Sequence, residues 1–182
     1  MPEILKSYTT LVDFITGKVI PDIGAEANRQ AVERYLVNAK GFAKEDIAVD
    51  VDISLEIAGE RYHSRLDLVV SPDSGRNRIM VLKCPAGSLG SWEREILAAA
   101  RLLDTYQIPF SVVCDGKSAI VLDTVTGKKL GEGLESIPSK EGARKKLRSI
   151  TRRPFPAERI EREKLIFRSY DSMKVNLGPR HA

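Results

Sequence analysis

Apolar residues near the start of the chain recur at the three- and four-residue intervals of a helix. The positions that form this pattern are Ile4, Leu5, Tyr8, Leu11, Val12 and Ile15. They would share one face of a helix that ends near Gly17 and Pro21. A second helix is predicted from Asp22 to Gly41, where alanines and Tyr35 form a stripe. We therefore expect an N-terminal helix within residues 1–21, followed by the first helix of the main domain.

The spacing of apolar residues then changes from helical to alternating. In "IAVDVDISLEIAG", which ends at Gly59, apolar residues alternate with Asp50, Asp52 and other polar residues. This alternation predicts a strand with one solvent-facing side. Two further apolar runs, "RYHSRLDLVV" and "RIMVLKC", are separated by a turn signal at 71–75. They predict two more strands.

The second half of the chain alternates between helices and strands. Ser91 can cap an amphipathic helix, "WEREILAAARLLDTY", whose apolar stripe includes Trp92 and Ile96. The runs "FSVVC" and "AIVLD" flank a hairpin turn at 115–117, and further helices are predicted at about 140–150 and 157–172. The order of elements predicts an α/β (α+β) fold, with a mixed central sheet flanked by helices.

The charge of the chain is divided between two regions. The 182 residues carry a net charge of +4, but residues 140–182 hold 13 basic and 5 acidic side chains, and the rest of the chain is net acidic. We therefore divide the chain into the N-terminal helix at 1–21, a core at 22–138 and a basic helical extension at 139–182. Phosphate-binding candidates in the extension are Arg144, Lys145, Lys146, Arg148, Arg152 and Arg153. A solvated helix face is the alternative.

Several functional classes find little support in the sequence. No apolar stretch approaches the roughly 18 residues needed to span a bilayer, and the start "MPEILKSYTT" is unlike a signal peptide. Cys84 and Cys114 form no disulfide framework, which favours a reducing cytoplasm. The sequence contains only two histidines, His63 and His181, which argues against a His-based zinc site and against Ser-His-Asp catalysis.

Two charged residues fall inside strand-like apolar runs. Asp67 and Lys83 lie on successive predicted strands joined by a short loop, so they can face each other across the sheet. A charge in such a position is unfavourable unless it is paired, solvated or used in function. A carboxylate and an ammonium group held this way could bind a divalent cation and a water molecule.

The surrounding motifs resemble the PD-(D/E)XK nuclease superfamily, whose restriction-endonuclease-like fold carries an Asp on one strand and an acid-x-Lys triplet on the next. The resemblance is greatest to the N-terminal nuclease domain of type I restriction enzyme R subunits. The matching segments, in order, are "AEANRQ", "RLDLVV", "VLKCP" and "IPFSVVCDG". Two positions depart from that pattern, because Val81 replaces the acid of the triplet and Ala98 replaces a helix Gln.

A carboxylate on the following helix could replace the missing acid. Glu95 lies twelve positions after Lys83, near the start of that helix, and it is favoured over Glu93 because it lies beside the apolar stripe. Some superfamily members are similar, with their second acid on the helix rather than the strand.

The resemblance implies a Mg²⁺- or Mn²⁺-dependent DNA endonuclease. Asp67, Glu95 and the carbonyl of Leu82 would hold one or two metal ions, and Lys83 would orient water or neutralise the transition state. Glu26 would contact the metal through water. DNA is the expected partner, bound by a homodimer or within a larger restriction or repair assembly.

Three alternatives remain open at this stage. The chain could be a degenerate nuclease fold kept for nucleic-acid binding or assembly, or a ligand-sensing domain. The candidate residues could also have ordinary roles. In that case Asp67 would pair with Arg65 or Arg61, and Lys83 would end an edge strand. Glu95 and Glu26 would be first-turn helix acids.

Overall fold

A computed structural model describes residues 9–172 of the chain. Within them the strands are β1 (Thr10–Val12), β2 (Val19–Pro21), β3 (Ile47–Ile57), β4 (Glu60–Val70), β5 (Met80–Lys83), β6 (Phe110–Cys114), β7 (Ala119–Asp123) and β8 (Lys129–Glu132). The helices are α1 (Glu26–Asn38), α2 (Glu93–Leu102), α3 (Lys140–Ser149) and α4 (Ile160–Ser172). The predicted fold class is confirmed: a mixed sheet lies between helices.

The sheet has the strand order β3-β4-β5-β6-β7-β8, and β5 and β6 are its parallel pair. Its register defines two ends. At one end Met80 pairs with Val70 and with Phe110, and we call this the Met80 end. Three residues further along β5, Lys83 pairs with Val113, and we call this the Lys83 end. At a rise of about 3.3 Å per residue, the two ends of β5 are about 10 Å apart.

Alternate side chains of the sheet pack into two hydrophobic cores. Met80 and Leu82 point into the core shared with α1 and α3, whereas Val81 points into the core shared with α2 and α4. This explains why β5 and β6 consist almost entirely of buried residues, since both of their faces are covered. The described part of the chain contains no helix that is long and apolar enough to cross a membrane.

The predicted N-terminal helix is wrong within the described residues; residues 1–8 lie outside them. β1 and β2 pair there as an antiparallel hairpin. The Asp13 carboxylate accepts hydrogen bonds from the backbone N–H and the hydroxyl of Thr16, and Gly17 adopts a left-handed φ of 71°. This turn chemistry outweighs the helical spacing of the apolar residues.

Two smaller differences concern the start of α2 and a strand at the edge of the sheet. Ser91 does not cap α2, because a short 3₁₀ turn at Leu89–Trp92 precedes that helix and Trp92 occupies the cap position. The edge strand β8 was not predicted, since its short, polar segment carries no alternating pattern. The other predicted helices and strands that lie in the described residues are confirmed.

Candidate active site

Asp67 lies on β4 at the Lys83 end of the sheet. Its carboxylate Oδ2 accepts a hydrogen bond from the backbone N–H of Cys84 at 2.7 Å, so the chain leaving β5 fixes its position. The neighbouring pairs Val49–Leu68 and Val51–Leu66 place Asp50 across from Asp67. Asp50 adopts a left-handed φ of 52° within β3.

Lys83 is the last residue of β5 and lies between two carboxylates. Its Nζ is 3.8 Å from Oδ2 of Asp67 and 3.7 Å from Oε1 of Glu95. The ring of Trp92 covers the same ammonium group, and its centroid is 4.9 Å from Nζ of Lys83. Since β5 lies inside the sheet and the Lys83 side chain is only 8% exposed, the edge-strand alternative is wrong.

Glu95 reaches this cluster from the first turn of α2. Its side chain is 2% exposed, and it approaches the same face of the sheet that carries Val81. Glu163 of α4 holds α2 in place, because Glu163 accepts a 2.7 Å hydrogen bond from Arg101. The helix that follows β5 therefore places a buried carboxylate beside Lys83.

The other expected charge pairings form elsewhere. Arg65 pairs with the exposed Asp52, rather than with Asp67. Arg94 and Arg101 both pair with Glu163, whereas Lys83 pairs with Glu95. The three candidate residues from separate segments are thus brought together.

The cluster combines two carboxylates with one ammonium group. Its formal charge of −1 lies in a region that excludes most water, where charges interact more strongly than at the surface. Carboxylate oxygens are suitable donors for a hard cation. Within residues 9–172, however, there is no group of three or more Asp, Glu, His or Cys residues that could hold a metal. A cation here would depend on Asp67, Glu95, backbone oxygen and water.

Leu82, the predicted backbone ligand, is fully buried in the middle of the sheet. It pairs with Leu68 on one side and with Val112 on the other. Its side chain belongs to the core beneath α1, so it is the backbone of Leu82 that lies next to Lys83.

Glu26 is not in direct contact with the three clustered residues. It lies at the start of α1, where it forms an ion pair with Arg29 and accepts a hydrogen bond from Gln30. The start of α1 nevertheless approaches the Lys83 end, because Asn28 donates a 2.8 Å hydrogen bond to the carbonyl of Pro85. A role for Glu26 at the metal would therefore have to act through water.

Arg29 is also the centre of a buried ionic network that sequence reasoning missed. Its guanidinium lies 3.0 Å from Asp13 and 2.9 Å from Glu33. Burial raises the pKa of Glu33 to about 7, although the charge of Arg29 opposes the shift. The network joins the β1–β2 turn to α1. No local sequence signal identifies it, because Asp13 was assigned to a helix.

The two cysteines next to the cluster are not activated nucleophiles. Cys84 and Cys114 are buried in the core beneath α1. Burial, reinforced by the Asp67 carboxylate, raises the pKa of Cys84 well above its ordinary value, and burial raises that of Cys114 to about 11. Both thiols stay protonated at neutral pH, which makes them poor nucleophiles.

The predicted phosphate-binding residues lie at the other end of the sheet. Arg144 donates to the carbonyl of Pro72, just beyond β4, and Lys146 lies over the ring of Phe110. Arg152 lies over Tyr106, and the carbonyl of Arg153 accepts a hydrogen bond from Gln107. Lys145 and Arg148 are exposed on α3. This basic segment therefore surrounds the Met80 end, away from Lys83.

Trp92 is a further residue of the site, and its contact with Lys83 was not predicted. The sequence placed Trp92 in the apolar stripe of a helix. Trp92 packs against the core of α2 as predicted, and at the cap position its ring also lies over the ammonium group of Lys83. In the sequence, only the short separation between Lys83 and the start of α2 could have indicated this contact.

Comparison with protein-family models identifies a family for the chain. The family described as "Type I restriction enzyme R protein N terminus (HSDR_N)" matches residues 24–138, more than half of the chain. The matched interval contains α1, α2 and all six strands of the central sheet. Comparison with curated proteins found no match, and neither did comparison with solved structures.

Proposed function

Because the chain belongs to the type I restriction enzyme R protein N-terminal family, we propose that it is a Mg²⁺-dependent, endonuclease-like protein that hydrolyses DNA phosphodiester bonds. The observation that carries this proposal is the position of Lys83 between Asp67 and Glu95. This arrangement supplies two carboxylates and one ammonium group on one side of a sheet. The second acid comes from α2.

The residues have separate roles in this proposal. The Cys84 N–H holds Asp67 in a fixed orientation, and Glu95 is held by the packing of α2. The ammonium group of Lys83 stabilises negative charge that develops on the scissile phosphate, or orients the attacking water. Trp92 restricts the position of that ammonium group. Glu26 acts through water, from the start of α1.

The donor set fits a magnesium or manganese ion. Mg²⁺ is commonly bound through one or two carboxylates together with water and substrate phosphate oxygens. Asp67 and Glu95 would supply the carboxylates, and Leu82 a backbone oxygen. When bound, the ion polarises the phosphodiester and lowers the pKa of a coordinated water molecule.

Plasmid nicking in Mg²⁺ or Mn²⁺ tests the proposal. We expect nicking by the wild-type chain and a loss of about 100-fold or more in Lys83→Ala and Glu95→Gln, as for other groups that stabilise transition-state charge. Lys18→Ala, on the exposed β1–β2 turn, is the control and should retain activity. Calorimetry should show a Mn²⁺ site that Glu95→Gln weakens. Equal nicking by wild type and Lys83→Ala would refute the proposal.

A catalytically degenerate nuclease fold is the second candidate. It is favoured by the complete burial of Val81, which leaves the usual strand position without a metal ligand. Such a protein would act as a nucleic-acid-binding or assembly module. DNA binding that needs no divalent cation, together with no Mn²⁺ site in calorimetry, would support this candidate over the enzyme.

The proposed partners follow from the family. We expect DNA and the other subunits of a restriction assembly in the cytoplasm, with a homodimer as an alternative arrangement. Size measurement with and without DNA would distinguish the two assemblies.

A further inference from the structure

A shallow groove at the Met80 end has no role in the proposed chemistry. It lies between the end of α1 and the start of α3 and has a volume of about 640 Å³. The residues that line it are Ala39, Lys40, Gly41, Ser139, Lys140, Glu141, Arg144 and Arg148. Four of these are cations and one is an acid.

The cations occupy both walls of the groove. Lys140, Arg144 and Arg148 are spaced four residues apart on α3, so they form one row with a rise of about 6 Å per step. Lys40, on the opposite wall, follows α1. The backbone N–H of Lys140 donates to the carbonyl of Lys40 at 2.8 Å, which joins the two walls directly.

Hydrogen bonds and ion pairs keep the groove in shape. The Lys40 ammonium donates to the carbonyl of Glu135 at 2.9 Å, and Arg144 donates to the carbonyl of Pro72 at 3.2 Å. Lys140 pairs with the buried Asp46 at 2.6 Å. Arg148 is exposed on α3. The positive groove is therefore organised before a ligand arrives.

The composition of the groove indicates the class of ligand. Its lining contains no large apolar or aromatic side chain, whereas the centre of a protein–protein interface is usually apolar and aromatic. Interfaces with nucleic acid are more polar and much more positive. Guanidinium groups are also well suited to phosphate oxygens.

We propose that this groove is a metal-independent binding site for the phosphate backbone of DNA, separate from the Lys83 cluster. The choice of DNA rests on the proposed function; the preference for phosphate rests on the groove itself. Contacts to phosphate carry no base information, so binding is independent of sequence. DNA held here lies at the opposite end of β5 from Lys83.

DNA binding measured by fluorescence anisotropy in EDTA tests the groove directly. We expect Arg144→Glu/Arg148→Glu to weaken binding at least tenfold, and Arg144→Gln/Arg148→Gln to weaken it less. For Arg144→Gln/Arg148→Gln, the slope of the logarithm of the binding constant against the logarithm of salt concentration should fall in magnitude by about two. Each lost phosphate contact lowers this slope by about one. Thermal unfolding checks that both variants are folded.

The matched control reverses the charge of two exposed basic side chains outside the groove. Lys18→Glu/Arg162→Glu changes the net charge by the same amount but lies on the β1–β2 turn and on α4. We expect its binding to remain within about twofold of wild type. An equal loss in both double variants would attribute binding to net charge and would overturn the proposal.

Two further outcomes separate this inference from the proposed nuclease. Nicking abolished by Lys83→Ala, with DNA binding in EDTA unchanged by the groove variants, would overturn the groove alone. Groove-dependent binding without nicking would overturn the nuclease alone. A third outcome concerns competition for the labelled DNA. If polyglutamate displaces it as well as unlabelled DNA does at equal charge, the groove would be assigned to an acidic protein, and the proposal would also be overturned.

Discussion

The two ends of the central sheet hold charged side chains in opposite ways. At the Lys83 end, Lys83 and Glu95 are nearly buried and lie in contact with each other. At the Met80 end, Lys145 and Arg148 project into solvent from α3. The first group is held by the fold, whereas the second rests on its surface.

This difference shows that buried charges depend on the fold, whereas exposed charges do not. A buried charge is stable only while its partner stays in place, so the chemistry of the Lys83 end is coupled to folding. An exposed charge is already solvated, so the charges of Lys145 and Arg148 can change without changing the fold. The predictions below test this contrast.

Replacing Lys83 should have the largest effect. Lys83→Met leaves Glu95 buried beside Asp67 without the ammonium group, and breaking a buried ion pair in this way destabilises a protein by about 3–5 kcal/mol. Urea unfolding at neutral pH measures the loss.

Glu95→Gln provides the control for Lys83→Met. The double variant Lys83→Met/Glu95→Gln should be more stable than Lys83→Met, because it carries no uncompensated carboxylate at position 95. A loss below about 1 kcal/mol in Lys83→Met would show that solvent screens the pair and would contradict the contrast between the ends.

The buried network around Arg29 should make stability depend on pH. The pKa of Glu33 is raised from 4.5 to about 7, so the folded state binds more protons than the unfolded state between these values. The contribution of Glu33 to stability is therefore present below pH 4.5 and lost as the pH rises through about 7. The full shift corresponds to an upper limit of about 3 kcal/mol.

Glu33→Gln should remove this pH dependence. The amide oxygen can still accept the hydrogen bond from Arg29, but it does not ionise. Urea midpoints measured below pH 4.5 and above pH 7 should fall less with rising pH in the variant than in wild type. Parallel pH profiles would show that the pKa of Glu33 does not change on folding. Glu45→Gln, at an exposed position, serves as the control.

Much of the fold followed from patterns that are local in sequence. The strands β6 and β7 were predicted with their observed limits, because two apolar runs flank an Asp-Gly-Lys turn. The hairpin at β1 and β2 was missed since its apolar spacing also fits a helix. There the hydrogen bonds of Asp13 decide the structure. The polar edge strand β8 left no periodic signal.

The candidate site was predictable where its residues lie close together along the chain. Lys83 and Glu95 are twelve positions apart, and the family pattern adds Asp67. By contrast, Lys40 and Lys140 are far apart along the chain and meet only in the folded structure, so the groove could not be found by spacing. Glu26 was predicted from the N-terminal acid of the family pattern, and its neighbours Arg29 and Gln30 could not be identified in this way.

A hydrogen bond from Asn28 connects α1 to the Lys83 end, and its loss should have an intermediate effect. Asn28→Ala removes the donor to the carbonyl of Pro85, and loss of one such bond costs about 1 kcal/mol. Urea unfolding should show this loss, while Asn38→Ala, at the exposed end of α1, should change stability less. Equal effects would show that the bond does not stabilise this end.

The smallest effect is expected on the exposed face of α3. Lys145→Ala and Arg148→Ala remove solvated charges, so the free energy of unfolding should change by less than about 0.5 kcal/mol. Ala143 lies on the buried face of the same helix, and Ala143→Lys should cost more than about 2 kcal/mol, because it forces an ammonium group into the core. Urea unfolding of the three variants compares the two faces within one helix. If Lys145→Ala were as destabilising as Ala143→Lys, the basic surface would be part of the folding core, and its charges could no longer be treated as available for DNA.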